Sequence, residues 1–154
     1  MKQIPLTNGL AALVDDADFE MLSAYTWTHF KSRAVFYAAA WVNHRPLLMH
    51  VKLLGKQAGK MIDHRNRNTL DNQRHNLRFS TQRQNSFNTP PRVTNKTGFK
   101  GVQIGRHGGF IASIKDGHRC VYLGRFDDPI EAAAKAYNAA ALKLEPDFAY
   151  LNPV

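Results

Sequence analysis

The chain has 154 residues, 44% of them hydrophobic and 21% charged, with a net charge of +9 and a pI near 9.9. That balance makes an anionic polymer the natural partner, and no long apolar run or basic amphipathic stretch supports a membrane surface instead. A single Cys120 excludes an intrachain disulfide, and none of the seven histidines has zinc-ligand spacing with a second soft ligand.

The opening Met1-Lys-Gln-Ile-Pro carries no signal-peptide apolar core, so a cytoplasmic protein is expected. Ile4 starts a short strand that ends in an Asn8-Gly9 turn, with Leu10 to Val14 as its partner. Asp15, Asp16 and Asp18 offer N-caps for a short helix carrying Phe19, Leu22 and Tyr25. Trp27–Phe30 and Val35–Val42 predict a hairpin with Lys31-Ser32-Arg33 at its tip, and its aromatics are assigned to the core rather than to base stacking. Leu47 to Val51 leads on to Leu53-Leu54-Gly55; His50 there reads either as a packed structural histidine or as an accessory group bracing a site. His44 and His75 read as surface residues.

Next, Lys60-Met61-Ile62 delivers Asp63-His64 to a polar turn rich in Asn and Asp. Asn76-Leu77-Arg78-Phe79 alternates polar and apolar, as a half-buried strand does. Ser80 or Thr81 then caps a helix, with Thr81-x-x-Gln84 as a capping box, and Pro90-Pro91 stops it. This strand–turn–strand–helix unit supplies one imidazole, one carboxylate and, from Asn85, one amide oxygen. Those groups suit phosphodiester hydrolysis. A hard divalent ion takes oxygen ligands and often uses one or two protein groups besides water and phosphate. An imidazole with an ordinary pKa of about 6.5 can be neutral at pH 7 and take a proton from water. Asn76 can hold the other ring nitrogen or tie the turn.

At Asp63-His64, Asn76-Leu77-Arg78 and Gln82-x-x-Asn85 the chain resembles the HNH homing endonucleases of phages and mobile elements, whose fold at this motif is the ββα-metal unit. The resemblance implies His64 as general base, Asn76 as its positioner, Asp63 and Asn85 as ligands of one Mg²⁺ or Mn²⁺, and Asp71-Asn72 as companions in the turn, Asn72 being an accessory candidate. Where many relatives have Gly in the turn, this chain has Arg67. Arg78 and Arg83 are candidate phosphate clamps, and the small β-rich opening is similar to the segment that often precedes the motif.

Residues 89–96 are Pro-interrupted and polar, and predict a linker. Beyond it, Phe99–Ile104, Gly109–Lys115 and Arg119–Gly124 predict three strands with Gly-bearing turns. Asp127-Asp128-Pro129 predicts a helix start, and Ile130, Ala133, Ala134, Tyr137, Ala141 and Leu144 form an apolar stripe at helical spacing. Gly101-Val102, Tyr122-Leu123-Gly124-x-Phe126-Asp127, Glu131-Ala132-Ala133-x-x-Ala136-Tyr137-Asn138 and Leu151-Asn152 resemble the AP2 DNA-binding domain. The resemblance implies a sheet face laid in the DNA major groove, carried by Lys100, Gln103, His107, Ser113, Lys115 and Tyr122.

The sequence thus predicts an α+β chain. Residues 1–88 hold the β-rich segment and the nuclease core, with its motif at 47–88; residues 89–96 are the linker, and residues 97–154 form a three-stranded antiparallel sheet packed on one helix. The expected function is metal-dependent hydrolysis of duplex DNA, without a small-molecule cofactor and with oligomeric state open. The rival is a non-catalytic DNA-binding transcriptional regulator. An RNA-binding factor is weaker, because neither half carries an aromatic RNA platform.

Overall fold

The computed structural model describes residues 1–32, 35–128 and 130–154. Among them are four helices and several small antiparallel sheets, a mixed α and β arrangement. The chain divides into two compact units, Met1–Gln82 and Arg83–Val154.

In the first unit, β1 (Lys2–Pro5) pairs with β2 (Ala11–Val14) across the Asn8-Gly9 turn. Helix α1 (Asp16–Ser23) follows and buries Leu22 and Asp18. Strands β3 (Thr28–Ser32), β4 (Val35–Val42) and β5 (Arg45–Leu48) form one sheet in that order. Of the expected tip Lys31-Ser32-Arg33, Arg33 lies outside the described residues. Asn43 and His44 make the β4–β5 turn with positive φ at both positions, the geometry a two-residue hairpin needs, and His44 is exposed. Helix α2 (Met49–Leu54) stops at Gly55, and β6 (Met61–His64) pairs with β7 (Leu77–Ser80). Ile4, Leu6, Val14, Leu22, Trp27, Met49 and Leu77 share one core. Trp27 is buried as expected. Trp41, assigned to the core by the same reasoning, is instead 61% exposed, because strand alternation places it and the core-facing Ala38 and Ala40 on opposite sides of β4.

The second unit contains α3 (Gln82–Asn88, all but its first residue), then β8 (Val102–Ile104), β9 (Phe110–Asp116), β10 (Arg119–Phe126) and α4 (Ile130–Leu144). The sheet order is β10-β9-β8, and α4 buries Ala133, Ala134, Tyr137 and Ala141. Pro129, expected in the first turn of that helix, lies outside the described residues. Gly101 has no room for a side chain: a Cβ there would sit 2.0 Å from the Tyr137 ring. Among the described residues no helix is long and apolar enough to cross a membrane.

The break between units falls after Gln82, the first residue of α3, where the sequence reading put it after residue 88. The reason is what α3 packs against. Phe87 joins Ile114, Tyr137 and Ala141 in one apolar cluster. Arg83 pairs with Asp116 at 2.9 Å and with Glu145 at 3.0 Å. The helix end is closed by Lys100, whose Nζ donates to the carbonyls of Ser86, Phe87 and Thr89 at 2.7–2.9 Å. Terminal carbonyls of a helix lack partners of their own and welcome a cation. Residues 89–96 are likewise tied in. Asn95 accepts through Oδ1 from the backbone N–H groups of Thr97 and Gly98, and Pro90, Pro91 and Arg92 line a groove of about 460 Å³ with Gln103, Ser113 and Lys115.

Candidate active site and nucleic-acid interface

Strand β6 ends at Asp63-His64, both buried. Alternation sends the two side chains to opposite faces of the hairpin. Asp63 lies across from Arg78 in the β6–β7 register. The Arg78 Nε and a terminal guanidinium nitrogen both reach Asp63 Oδ2 at 2.8 Å, and both side chains are less than a tenth exposed. Arg78, read from the sequence as a phosphate clamp, therefore holds the Asp63 carboxylate in place.

His64 lies among Asn72, His50 and Tyr37. Its Nε2 is 3.4 Å from Asn72 Oδ1. The Asn72 amide nitrogen faces the Thr69 carbonyl at 3.5 Å, which fixes the oxygen as the atom toward the imidazole. That oxygen can only accept, so it pairs with the imidazole when Nε2 carries a proton. The rings of His50 and His64 meet edge to face at 5.2 Å, and the Tyr37 ring lies 5.3 Å from His50 and 6.4 Å from His64. Burial lowers the His64 pKa, against opposing pulls from Asn72, Asp63 and Asp71. Burial, with His64 beside it, lowers His50 to about 3. Burial and the nearby Asp63 charge raise the Tyr37 phenol.

The turn between the strands is held by its own amides. Asn76, given by the resemblance as the positioner of His64, accepts from the Asn66 N–H at 3.0 Å and donates to the Asp71 carbonyl at 2.8 Å. It ties the turn. The amide that faces His64 is Asn72, fully buried and first read only as an accessory. Asn66 Nδ2 donates to Asp71 Oδ2 at 2.7 Å. Arg67 takes the left-handed conformation with φ of 66°, so the turn follows the path a Gly would give it, at a cost of about 1–2 kcal/mol for a side-chain-bearing residue.

The β-rich opening grips this turn from outside. Leu13 N–H donates to the Leu70 carbonyl, and Asn72 N–H donates to the Leu13 carbonyl, each at 2.8 Å. Asp15 accepts from the Arg74 N–H at 2.7 Å, which holds its carboxyl below the usual range. Arg74 makes a two-point pair with buried Asp18, 2.7 Å on each arm. Sequence reasoning treated Asp15 and Asp18 as helix caps only; their partners lie 56–59 residues away, beyond any local signal.

Of the remaining site candidates, Asn85 is half-buried in the middle of α3, in the second unit. Arg83 and Lys100 are engaged in holding α3, as described above. Ala112 and Ile114 of β9 are buried, so Ile111, Ser113 and Lys115 point to the other face. The register adds Gln103, opposite Ile111, and Tyr122, opposite Ser113. His107 is off the strands, in an exposed turn, its carbonyl accepting from Arg125 at 2.9 Å. A bulge between Tyr122 and Gly124 brings Arg125 opposite Ile111, onto the same face as Tyr122. Simple alternation would have put Arg125 on the reverse side, and the sequence reading missed it.

A family model described as HNH endonuclease matches residues 56–87. An AP2/ERF and B3 domain-containing transcription factor of Arabidopsis thaliana is 45% identical over 56 residues, 36% of this chain and 16% of the relative. The chain therefore spans under a fifth of that relative's length. No solved structure matches it. The chain is thus similar to HNH endonucleases over 32 residues and to an AP2/ERF-containing factor over 56.

Proposed function

We propose that the chain is a metal-dependent endonuclease that hydrolyses duplex DNA, with its second unit contributing DNA binding. The observation that carries this reading is His64, buried, its Nε2 facing an amide oxygen and its pKa lowered, so that it is neutral at pH 7. In this reading the neutral imidazole of His64 takes a proton from the attacking water, Asn72 orients the ring, and Arg78 keeps Asp63 oriented. The family match at residues 56–87 supports nuclease chemistry, and the AP2/ERF-containing relative supports DNA binding.

Asp63 and Asn85 are the residues that would hold the divalent ion, Asn85 on the strength of the sequence resemblance. Both offer hard oxygen. Oxygen donors of this kind suit an ion such as Mg²⁺ or Mn²⁺ that keeps waters and takes phosphate oxygens. When bound, that ion supplies charge stabilisation at the phosphate and the leaving oxygen. The resemblance to homing endonucleases implies 5′-phosphate and 3′-hydroxyl ends, and a phage or mobile-element origin. On the second unit, Gln103, Ser113, Lys115, Tyr122 and Arg125 form the face offered to DNA, and His107 extends it.

A second reading, a non-catalytic DNA-binding regulator, draws on one observation: the Asp63 carboxylate is already paired with Arg78. Supercoiled plasmid separates the two. The expected result is conversion to nicked or linear DNA with Mg²⁺ and none with EDTA, and a fall of about 10²–10⁴ in rate for His64→Ala at unchanged folding. No Mg²⁺-dependent conversion by the wild-type chain would support the regulator, and equal non-zero rates for wild type and His64→Ala would remove His64 as the base.

A further inference from the structure

The β3-β4-β5 sheet turns one face into the core through Ala38 and Ala40. Its other face carries Tyr37, Ala39 and Trp41 from β4, with Phe30 opposite Tyr37 and Pro46 opposite Trp41. The Phe30 and Trp41 rings meet edge to face at 6.2 Å. Tyr37 continues the row to His50 and His64. A row of rings thus runs from a Trp that is 61% exposed to the imidazole read as the general base. The chain as a whole carries +9.

A single exposed apolar residue is ordinary. An exposed Trp at the head of an aromatic row that ends at the catalytic group is a built surface, and its rings offer π-faces and edges rather than charge. Bases inside a duplex have their faces covered by neighbours, whereas unpaired bases present theirs for stacking. We propose that this face, through Trp41, stacks an unpaired base of the DNA strand next to the phosphate presented to His64. The proposal rests on the nuclease reading for what lies at the end of the row. It makes the preferred substrate a locally opened or single-stranded stretch rather than uninterrupted duplex.

The chain contains two tryptophans, and Trp27 is 1% exposed in the core, so quenchable emission reports Trp41. The experiment titrates the full chain in EDTA, where no cleavage is expected, with a single-stranded oligothymidylate and with a blunt duplex of equal length. The single strand should quench the emission and protect it from acrylamide. With affinity read from the anisotropy of a labelled oligothymidylate, which needs no Trp41, Trp41→Ala should weaken single-strand binding by about tenfold, the loss of one stacked base, and Trp41→Phe should restore most of it. Equal affinity of wild type and Trp41→Ala for the single strand would overturn the proposal, as would equal quenching by the duplex. Binding in EDTA needs no turnover, so a failure to nick plasmid would count against the nuclease reading and leave this result to stand or fall alone.

Discussion

The β6–β7 hairpin and helix α3 adjoin in sequence yet are supported by different parts of the chain. His64 and its turn are held by the first 18 residues, through Leu13, Asp15 and the Asp18–Arg74 pair. The helix with Asn85 is held by residues of the second unit, through Phe87, Arg83 and Lys100. The comparison teaches that a short motif can be contiguous in sequence without being an independent folding unit.

The comparison is sharpest at the buried charge pair. Replacing Arg78 by Leu leaves Asp63 buried without its guanidinium, and breaking such a pair costs about 3–5 kcal/mol. The first unit should then unfold at clearly lower denaturant in a urea titration. If Arg78 served only to grip DNA, the midpoint would not move.

Acid should act on the same half with a smaller effect. His50 has its folded pKa lowered to about 3, against about 6.5 unfolded, so between those values the unfolded chain binds the extra proton. Stability contributed by the neutral His50 is fully present above pH 6.5 and is lost as pH falls, at up to about 1.4 kcal/mol per pH unit, levelling near pH 3. His64, also lowered, adds in the same direction. Urea midpoints measured from pH 7.5 down to 5 should decline, and His50→Phe should flatten the slope; a slope unchanged by that substitution would remove His50 as its cause.

Smaller still is the brace on the turn. Asp18→Asn keeps the size but removes the charge facing Arg74, and hydrogen bonds to charged groups contribute about 1.5–3 kcal/mol, less here because the Arg74 side chain is half exposed. A loss of about 1 kcal/mol in the first unit, with oligonucleotide binding by the second unchanged, is the expected outcome of calorimetry paired with a gel shift. A comparable loss in both units would mean that the brace is not local.

Much of this architecture was legible in the sequence because its signals are local. Asn8-Gly9 marks the first hairpin, the Gly-bearing turns separate β8, β9 and β10, and the Ala-rich stripe marks the face α4 buries. Asp63, His64 and the turn amides could likewise be singled out as chemistry-bearing residues. What was not legible depends on cross-strand register and distant partners. Arg78 could not be told from a phosphate clamp until the register set it opposite Asp63. Asn72 and Asn76 are the same residue type four positions apart, and only the path of the turn decides which meets His64. The division at Gln82 follows from Phe87 and Lys100, which pack with residues far along the chain and leave no composition shift at that point.

The most direct measurement compares the full chain with a fragment ending at Thr94, in plasmid nicking with Mg²⁺ at enzyme concentrations that saturate the DNA. The fragment keeps His64, Asp63 and Asn85 but loses Ile114, Tyr137, Glu145 and Lys100, the partners that hold α3. The account predicts that the rate at saturation falls at least tenfold and that added enzyme does not restore it. A fragment that nicks at the full rate once saturated would show that α3 needs no support from the second unit, and would contradict the account.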